Sequence, residues 1–449
     1  MDTITRWPEN LSPALVFTVT ALAAAAMFGI ALPIVGLSQL RWVIAGVVGV
    51  IGAGMLFVRP GIATALFLFV GLFKADPTLA AVVPFDLTGA IGALLVLACA
   101  IKLLRSGHLP RLPQSYFLYL PILLITLASL LYTPDLAVGA DKAMKFIVLT
   151  GLGIVAPFIL FDSARQVRVF MYTMAILGLI LSSQALGGLG GSDRLAMPGR
   201  LTIQLGGAAG TTIAVALGLA LPSQPFRRRL LLYPVVALAF VALLGSGARG
   251  PMIGAVCCTL FALLYFRKLW IDAAIFVVAG VVGLAQVGIP SASFEYLATL
   301  VSDDPNAAMG TRTGLMALAW RLFREHPLLG VGMGGYAFYS RDPENTFPHN
   351  IFLEIGAELG FFALIAFILL VLWVLWEAFK QLRDRDFPYA QESAGVFSLL
   401  IFGFIQMVKS GDVNDNRSIW LLMGLPFLLR ALANKEEAAR PLAPTSQLG

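Results

Sequence analysis

His349 is the first candidate for chemistry, because histidine is the side chain whose ordinary pKa lies nearest to neutrality. It stands between Pro348 and Asn350, where a polar segment enters a long apolar run. Glu354 and Glu358 follow inside that run at intervals of four residues. Residues with this spacing share one face of a helix. The pattern therefore predicts a polar stripe that leads from His349 into an otherwise apolar helix.

The two carboxylates of this stripe favour a functional role, since an ionised carboxylate inside a bilayer is costly unless it has a partner or faces water. A structural alternative stays open. In that alternative His349 and Asn350 cap the helix, while Glu354 and Glu358 pair with an arginine or lysine on a neighbouring span.

Three arginines form the second group of candidates. Arg249 lies in a glycine-rich turn (GSGARGP), Arg200 at the start of an apolar run (MPGR), and Arg312 in a polar segment (GTR). A guanidinium binds phosphate oxygens through two parallel hydrogen bonds, and a tight turn presents backbone amides to an anion. Together with a histidine, they predict a ligand that bears phosphate. Taken singly, each arginine could instead lie at the membrane interface and bind lipid head groups.

Other kinds of active site are not indicated. The sequence has no Walker loop for ATP, and the segments expected outside the membrane carry no convincing cluster of metal ligands. Cys99, Cys257 and Cys258 lie inside apolar runs, where they suit packing. We therefore expect no cofactor and no metal.

The composition indicates the elements that must position these residues. Of the 449 residues, 59% are hydrophobic and 12% charged, and the mean hydropathy is +0.86. These values exclude a soluble globular enzyme. Apolar runs recur, each long enough to cross the ~30 Å hydrocarbon core of a bilayer. We predict an all-α, polytopic integral membrane helix bundle of about 12–14 transmembrane helices. The predicted spans are 12–32, 41–58, 60–75, 86–104, 115–132, 143–161, 166–186, 201–221, 230–246, 250–266, 271–288, 350–376, 392–410 and 417–434.

Basic residues predict the orientation, because short cytoplasmic loops are enriched in lysine and arginine. With the N-terminus inside, 18 of the 31 basic residues fall on the cytoplasmic side, 9 in short outer loops and 4 in one long outer loop. Both termini are predicted to be cytoplasmic and the candidate site periplasmic. Topology also explains the net charge of +6, so no nucleic-acid partner is expected.

The long outer segment divides the chain. We predict an N-terminal transmembrane bundle at 1–288, a periplasmic loop at 289–348, C-terminal transmembrane helices at 349–434 and a cytoplasmic tail at 435–449. The stretch 314–325 has helical apolar spacing and is followed by a proline and several glycines, so the loop should carry amphipathic helices.

The segment 310–370 carries an ordered set of motifs, and two arginine motifs precede it. The set comprises Thr311-Arg312, Trp320, HPLLGVGMG at 326–334, Pro348-His349-Asn350, Glu354 and Glu358-Leu359-Gly360, preceded by Gly199-Arg200 and Ala248-Arg249-Gly250. In these residues the chain resembles the O-antigen ligase and polymerase family. Before about residue 190 the similarity is one of hydropathy alone.

The resemblance implies a GT-C-like enzyme of the bacterial inner membrane that moves a glycan from undecaprenyl diphosphate to an acceptor hydroxyl. Arg200, Arg249 and Arg312 would clamp the diphosphate, and His349 would take the acceptor proton or orient the acceptor. The transfer would need no metal, and one in-line displacement would invert the anomeric carbon.

The stripe residues would then serve the same site. Glu354 would orient His349 or line the site, by analogy with carboxylates that orient histidines elsewhere. Asn350 and Glu358 would be further substrate contacts. The partners would be the carrier-linked glycan, the lipid bilayer and an acceptor, which is lipid A-core for a ligase or a second lipid-linked glycan for a polymerase.

The resemblance leaves the acceptor open. The spacing of His349, Asn350 and Gly360 fits the motif described for ligases, which favours lipopolysaccharide biosynthesis. Ala363 departs from that motif, and the residues that follow Arg200 also differ from the family's pattern. An O-antigen or exopolysaccharide polymerase is therefore the alternative. A lipid or polysaccharide transporter is more distant, because it would need charged residues near the bilayer midplane.

Overall fold

The computed structural model describes residues 59–73, 86–107, 112–188, 193–196, 202–275, 306–342, 345–409 and 411–439, with the single positions 54 and 292. Within these ranges the regular structure is helical, and they contain no β-strand. The prediction of an all-α membrane helix bundle is confirmed. Arg200, the predicted span 12–32 and most of the span 41–58 lie outside the described residues.

The helices that build the bundle are labelled α1 to α13 in chain order. They are α1 Pro60–Phe73, α2 Leu87–Ser106, α3 Gln114–Ser129, α4 Leu136–Leu160, α5 Ala164–Gln184, α6 Thr202–Ala220, α7 Tyr233–Ser246, α8 Arg249–Tyr265, α9 Asn306–Glu325, α10 Gly335–Ser340, α11 Ile351–Arg383, α12 Ala390–Lys409 and α13 Arg417–Ala439. α4 and α6 each contain one wider π turn, at Lys145–Thr150 and Ala216–Ala220.

Six helices of the described ranges are long and apolar enough to cross a membrane: α2, α4, α5, α6, α11 and α12. α8 and the following helix Arg267–Ile275 are bent by 117° and make a seventh crossing if they form one span. The chain is therefore a multi-pass membrane protein. The predicted total of 12–14 includes spans outside the described residues and stays a prediction, as do the predicted domain boundaries.

α6 is the most buried of the six helices, and it packs against α5, α7, α8 and α12. Its small residues let the neighbouring helices approach closely. Phe402 of α12, for example, occupies the space beside Gly210 of α6 and Gly254 of α8. Because lipid is as apolar as the helix surfaces, close packing of this kind drives helix association in membranes. It also fixes the ends of α6, α8 and α12 relative to one another.

α11 differs from the straight span that the apolar run 350–376 predicts. Gly360 has φ +77° in its middle, so the helix is kinked there. The loop 326–334 packs into the kink, where the amide of Phe361 donates a hydrogen bond to the carbonyl of Pro327 at 2.8 Å. The kink therefore replaces helical hydrogen bonds with bonds to this loop.

The same loop is also attached to the end of α3. The hydroxyl of Ser129 accepts a hydrogen bond from the amide of Met333 at 3.1 Å. The hydroxyl of Thr133 donates to the carbonyl of Met333 at 2.9 Å, and that of Tyr132 donates to the carbonyl of Leu329 at 2.7 Å. The loop 326–334 thus joins α3 to the kink of α11.

We predict that Gly360→Ala destabilises the protein by about 2–4 kcal/mol, because a left-handed φ strains alanine and its Cβ would overlap the carbonyl of Leu328. Thermal denaturation of the purified protein in detergent measures the effect. Gly314→Ala in α9 is the matched control, since nothing lies within 4 Å of the position of its Cβ. The control should be neutral or about 0.5–1 kcal/mol more stable. Equal stability of Gly360→Ala and wild type would contradict the assigned role of the kink.

Candidate active site

The first residues of α6 and α8, the last residue of α12 and part of α9 meet at one end of the bundle. They line a small, open cleft. The lining residues are Arg194, Thr202, Ile203, Ala248, Arg249, Gly250, Pro251, Arg312 and Lys409. Four of these nine are basic and none is acidic, so the described walls of the cleft attract anions.

The turn between α7 and α8 positions Arg249. α7 ends at Ser246, and Ala248 is the N-cap of α8. Arg194 braces this turn, because its Nε donates to the carbonyl of Ser246 at 2.8 Å. Its Nη2 donates to the hydroxyl of Thr202 at 2.9 Å. Arg194 therefore ties the turn that carries Arg249 to the start of α6.

Arg312 and Lys409 reach the cleft from two further helices, α9 and α12. Nη1 of Arg312 donates to the carbonyl of Lys409 at 3.4 Å. The guanidinium thus lies at the C-terminal end of α12, where the helix dipole favours a cation. Gly250 permits the close packing of α8 and α12 at this point, since a Cβ there would lie 3.1 Å from the Cβ of Lys409.

The first turn of α8 is a second source of positive potential. The first amides of a helix have no acceptor within it, and the helix dipole is positive at this end. The N-cap Ala248 makes no side-chain hydrogen bond to them. Helix amides and guanidinium groups together are common partners of phosphate oxygens. The cleft can therefore bind a ligand that bears phosphate through the protein's own groups.

His349 lies just before α11, outside the helix itself. Its φ of +57° is left-handed, a conformation that costs a residue with a Cβ about 1–3 kcal/mol. Its ring lies edge-on to that of Phe347, with 4.5 Å between the centroids. Nδ1 is buried and has no hydrogen-bond partner among the described residues. Burial, and then the charge of Arg312, lower the pKa of His349 below its ordinary value of 6.5. The imidazole is therefore mainly neutral at pH 7 and can accept a proton.

Asn350 caps α11, since its Oδ1 accepts from the amides of Phe352 at 3.0 Å and Leu353 at 3.2 Å. The structural alternative expected both His349 and Asn350 to cap this helix. In the structure Asn350 does so. His349 precedes the cap and takes no part in it.

The carboxylates of Glu354 and Glu358 share a buried cation, Lys142 of α4. Nζ of Lys142 lies 2.6 Å from Oε1 of Glu354 and 2.8 Å from Oε2 of Glu358. The side chains of the two glutamates are 1% and 2% exposed, and that of Lys142 is 11% exposed. The structural alternative expected these two glutamates to pair with a lysine or arginine of a neighbouring span, and the structure shows this pairing. Substrate contacts by Asn350, Glu354 and Glu358 stay predictions.

Glu354 makes no hydrogen bond to the buried Nδ1 of His349. The expectation that Glu354 orients the imidazole is therefore wrong for a bond through this nitrogen. Oε2 of Glu354 accepts from the amide of Val413 at 3.1 Å, and its other oxygen faces Lys142. Nδ1 of His349 has no partner in the described ranges. The reason is geometric: Glu354 lies one turn inside α11 and faces the bundle, whereas His349 lies before the helix begins.

Residues 234–368 match the family model described as O-antigen ligase. The resemblance to the O-antigen ligase family is confirmed. The matched segment is less than one third of the chain and runs from α7 to the first part of α11. No curated protein matches the chain.

The O-antigen ligase match supports a membrane glycosyltransferase whose substrates are lipid-linked glycans. Arg249, Arg312 and His349 all lie inside the matched segment. The structure brings Arg249 and Arg312 to one cleft and places Arg312 close enough to His349 to influence its pKa.

Three residues of this end of the bundle were not predicted as site residues: Lys142, Arg194 and Lys409. Each was assigned only to an outer loop or helix end. For Lys142 a signal exists, because two carboxylates within a predicted span require cations, and Lys142 directly precedes an apolar run. For Arg194 and Lys409, the sequence contains no comparable signal, since their neighbours are distant in the chain.

We predict that Lys142→Met destabilises the protein by about 3–5 kcal/mol, because it leaves two buried carboxylates without their cation. The measurement is thermal denaturation in detergent. Lys145→Ala is the control, since its ion pair with Asp141 is about half exposed and should contribute about 0.5 kcal/mol or less. Adding Glu354→Gln and Glu358→Gln to Lys142→Met should recover part of the loss. No recovery would show that Lys142 acts through packing and not through charge.

Proposed function

We propose that the protein is a metal-independent, inverting glycosyltransferase of the O-antigen ligase type. It would act at the periplasmic face of the bacterial inner membrane, with both termini in the cytoplasm. It would move a glycan from undecaprenyl diphosphate to a hydroxyl of lipid A-core. The observation that carries the proposal is a basic cleft, formed in part by Arg249 and Arg312, with His349 near enough to Arg312 for this charge to lower its pKa.

The cleft suits the leaving group of this reaction. A glycan joined to a carrier through diphosphate already has a good leaving group, so the protein must bind and neutralise the charge that develops as the bond breaks. Arg249 and Arg312 are supported on two different helices, and Arg194 braces the turn before Arg249. Cations held in place in this way need little reorganisation during the reaction. Arg200 would join them, as the resemblance implies.

His349 suits the acceptor side of the reaction. The acceptor oxygen would form a bond to the anomeric carbon while its proton passes to the imidazole. The bond between that carbon and the diphosphate oxygen would break, and the electron pair would leave with the diphosphate. Burial and the charge of Arg312 keep the imidazole neutral and ready to accept the proton. In-line attack from the opposite side of the ring would invert the anomeric carbon.

A repeat-unit polymerase remains the second candidate, with another carrier-linked glycan as acceptor. It is favoured by Ala363, which departs from the ligase motif and is fully buried in α11. The same cleft and the same histidine would serve both acceptors, since the donor and the chemistry are identical.

We predict that His349→Asn and Arg249→Ala abolish glycan transfer in a deletion strain while the proteins are made in normal amounts. Asparagine tolerates the left-handed backbone of His349 but cannot act as the base at neutral pH. Arg321→Ala is the matched arginine control, because Arg321 is largely exposed in α9 and does not line the cleft.

The readout is electrophoresis of lipopolysaccharide together with the carrier-linked glycan. Long carrier-linked chains and bare lipid A-core indicate a ligase, whereas single carrier-linked repeats indicate a polymerase. Stable variants that behave as wild type in both assays would contradict the proposed mechanism.

The pH dependence of transfer should report on His349. The rate should fall as the pH drops through the pKa of His349, which lies below 6.5, because protonation removes the base. Arg312→Gln removes a positive charge near the imidazole, so the pKa should rise and the acid limb should move to higher pH. Each profile is normalised to its own maximum, and Arg321→Gln is the control. An unchanged limb in Arg312→Gln would argue against His349 as the group that titrates.

A further inference from the structure

Two cations of the cleft lie outside the segment that matches the O-antigen ligase family. Arg194 precedes that segment, and Lys409 follows it. Arg194 has a bracing role, because its guanidinium donates to Ser246 and Thr202. Lys409 is exposed at the last position of α12 and lines the cleft with the arginines.

The backbone at the end of α12 holds Lys409 in place. Its carbonyl accepts from Arg312, and its Cβ lies 3.1 Å from the place that a Cβ at position 250 would take. The long side chain beyond Cβ is flexible, and its ammonium is a compact charge that can follow a moving anion. Arg194, Arg249 and Arg312 have planar groups that bind in fixed geometry. Lys409 is therefore the cation best able to respond to a change in the ligand.

The ligand changes its charge during the proposed reaction. A diphosphate esterified at both ends carries about two negative charges. When the glycan leaves, the terminal phosphate becomes a monoester, whose second proton dissociates near pH 6, so the charge approaches three. The carrier monophosphate carries at most about two. Four cations and no carboxylate among the described lining residues favour the most highly charged of these ligands.

We propose that Lys409 makes the cleft selective for the leaving polyprenyl diphosphate over both the glycan-linked donor and the carrier monophosphate. This inference rests on the proposed function. The product then stays bound after transfer, and the transferase is inhibited by it.

Binding and inhibition by pure lipids test the proposal. The full-length protein is placed in nanodiscs and titrated with undecaprenyl diphosphate and with undecaprenyl phosphate above pH 7. Wild type should bind the diphosphate at least about tenfold more tightly. Lys409→Gln should lower that ratio to about threefold or less, mainly by weakening diphosphate binding, and Lys409→Arg should restore most of it. The charge-matched control is Lys380→Gln. Lys380 lies in the last turn of α11, at the end away from His349, so its substitution should change the affinity for neither lipid.

Transfer is measured in the same preparations with added undecaprenyl diphosphate. Inhibition by this product should be strong in wild type and weaker in Lys409→Gln. Equal diphosphate selectivity in wild type and Lys409→Gln would overturn the inference, and transfer by the wild type would leave the proposed function standing. Absence of both diphosphate binding and transfer in wild type would overturn the proposed function, and the inference with it.

Discussion

The buried ion pair of Lys142 with Glu354 and Glu358 is the interaction on which the candidate active site most depends. A single ammonium of α4 lies between two carboxylates of α11, and all three side chains are almost fully excluded from solvent. Leaving any of these charges alone in an apolar bundle would cost several kcal/mol. The start of α11, where His349 and Asn350 lie, can therefore take only the position in which both carboxylates meet Lys142.

This ion pair also organises the loop 326–334 and the turn before α13. Oε2 of Glu358 accepts from the amide of Gly334 at 3.0 Å, and Oε2 of Glu354 accepts from the amide of Val413 at 3.1 Å. The side-chain amide of Asn414 in turn donates to the carbonyl of Lys142 at 3.2 Å. Loop segments that are distant in sequence thus satisfy one buried charge cluster. The cluster therefore supports the start of α11 together with the loop segments that bond to it.

The basic cleft depends on a different principle, which is close packing of small residues. Small side chains in α6 and α8 bring these helices close to α12, so that their ends converge. Arg249 and Lys409 then line the same cleft, where the repulsion between their like charges favours an anionic ligand over an empty cleft. Close packing of the helix ends thus holds the crowded cations at one cleft.

The sequence by itself determined the helical membrane fold, the resemblance to the O-antigen ligase family and several of the candidate site residues. These properties are local: hydropathy over about 20 residues indicates a span, and a glycine-rich turn or an asparagine before an apolar run indicates a helix end. For this reason Arg249, Arg312, His349 and the cap at Asn350 are recognisable as candidates from their neighbours in the chain alone.

Only the tertiary structure decided which charges meet. Lys142 and Glu358 are separated by 216 positions, so no local pattern pairs them. The kink of α11 at Gly360 depends on a loop that precedes the helix and packs into it, and Lys409 reaches the cleft because α12 packs against Gly250 of α8. The sequence shows that Glu354 and Glu358 need a cation if they are buried. Which cation pairs with them depends on how helices distant in the chain pack together.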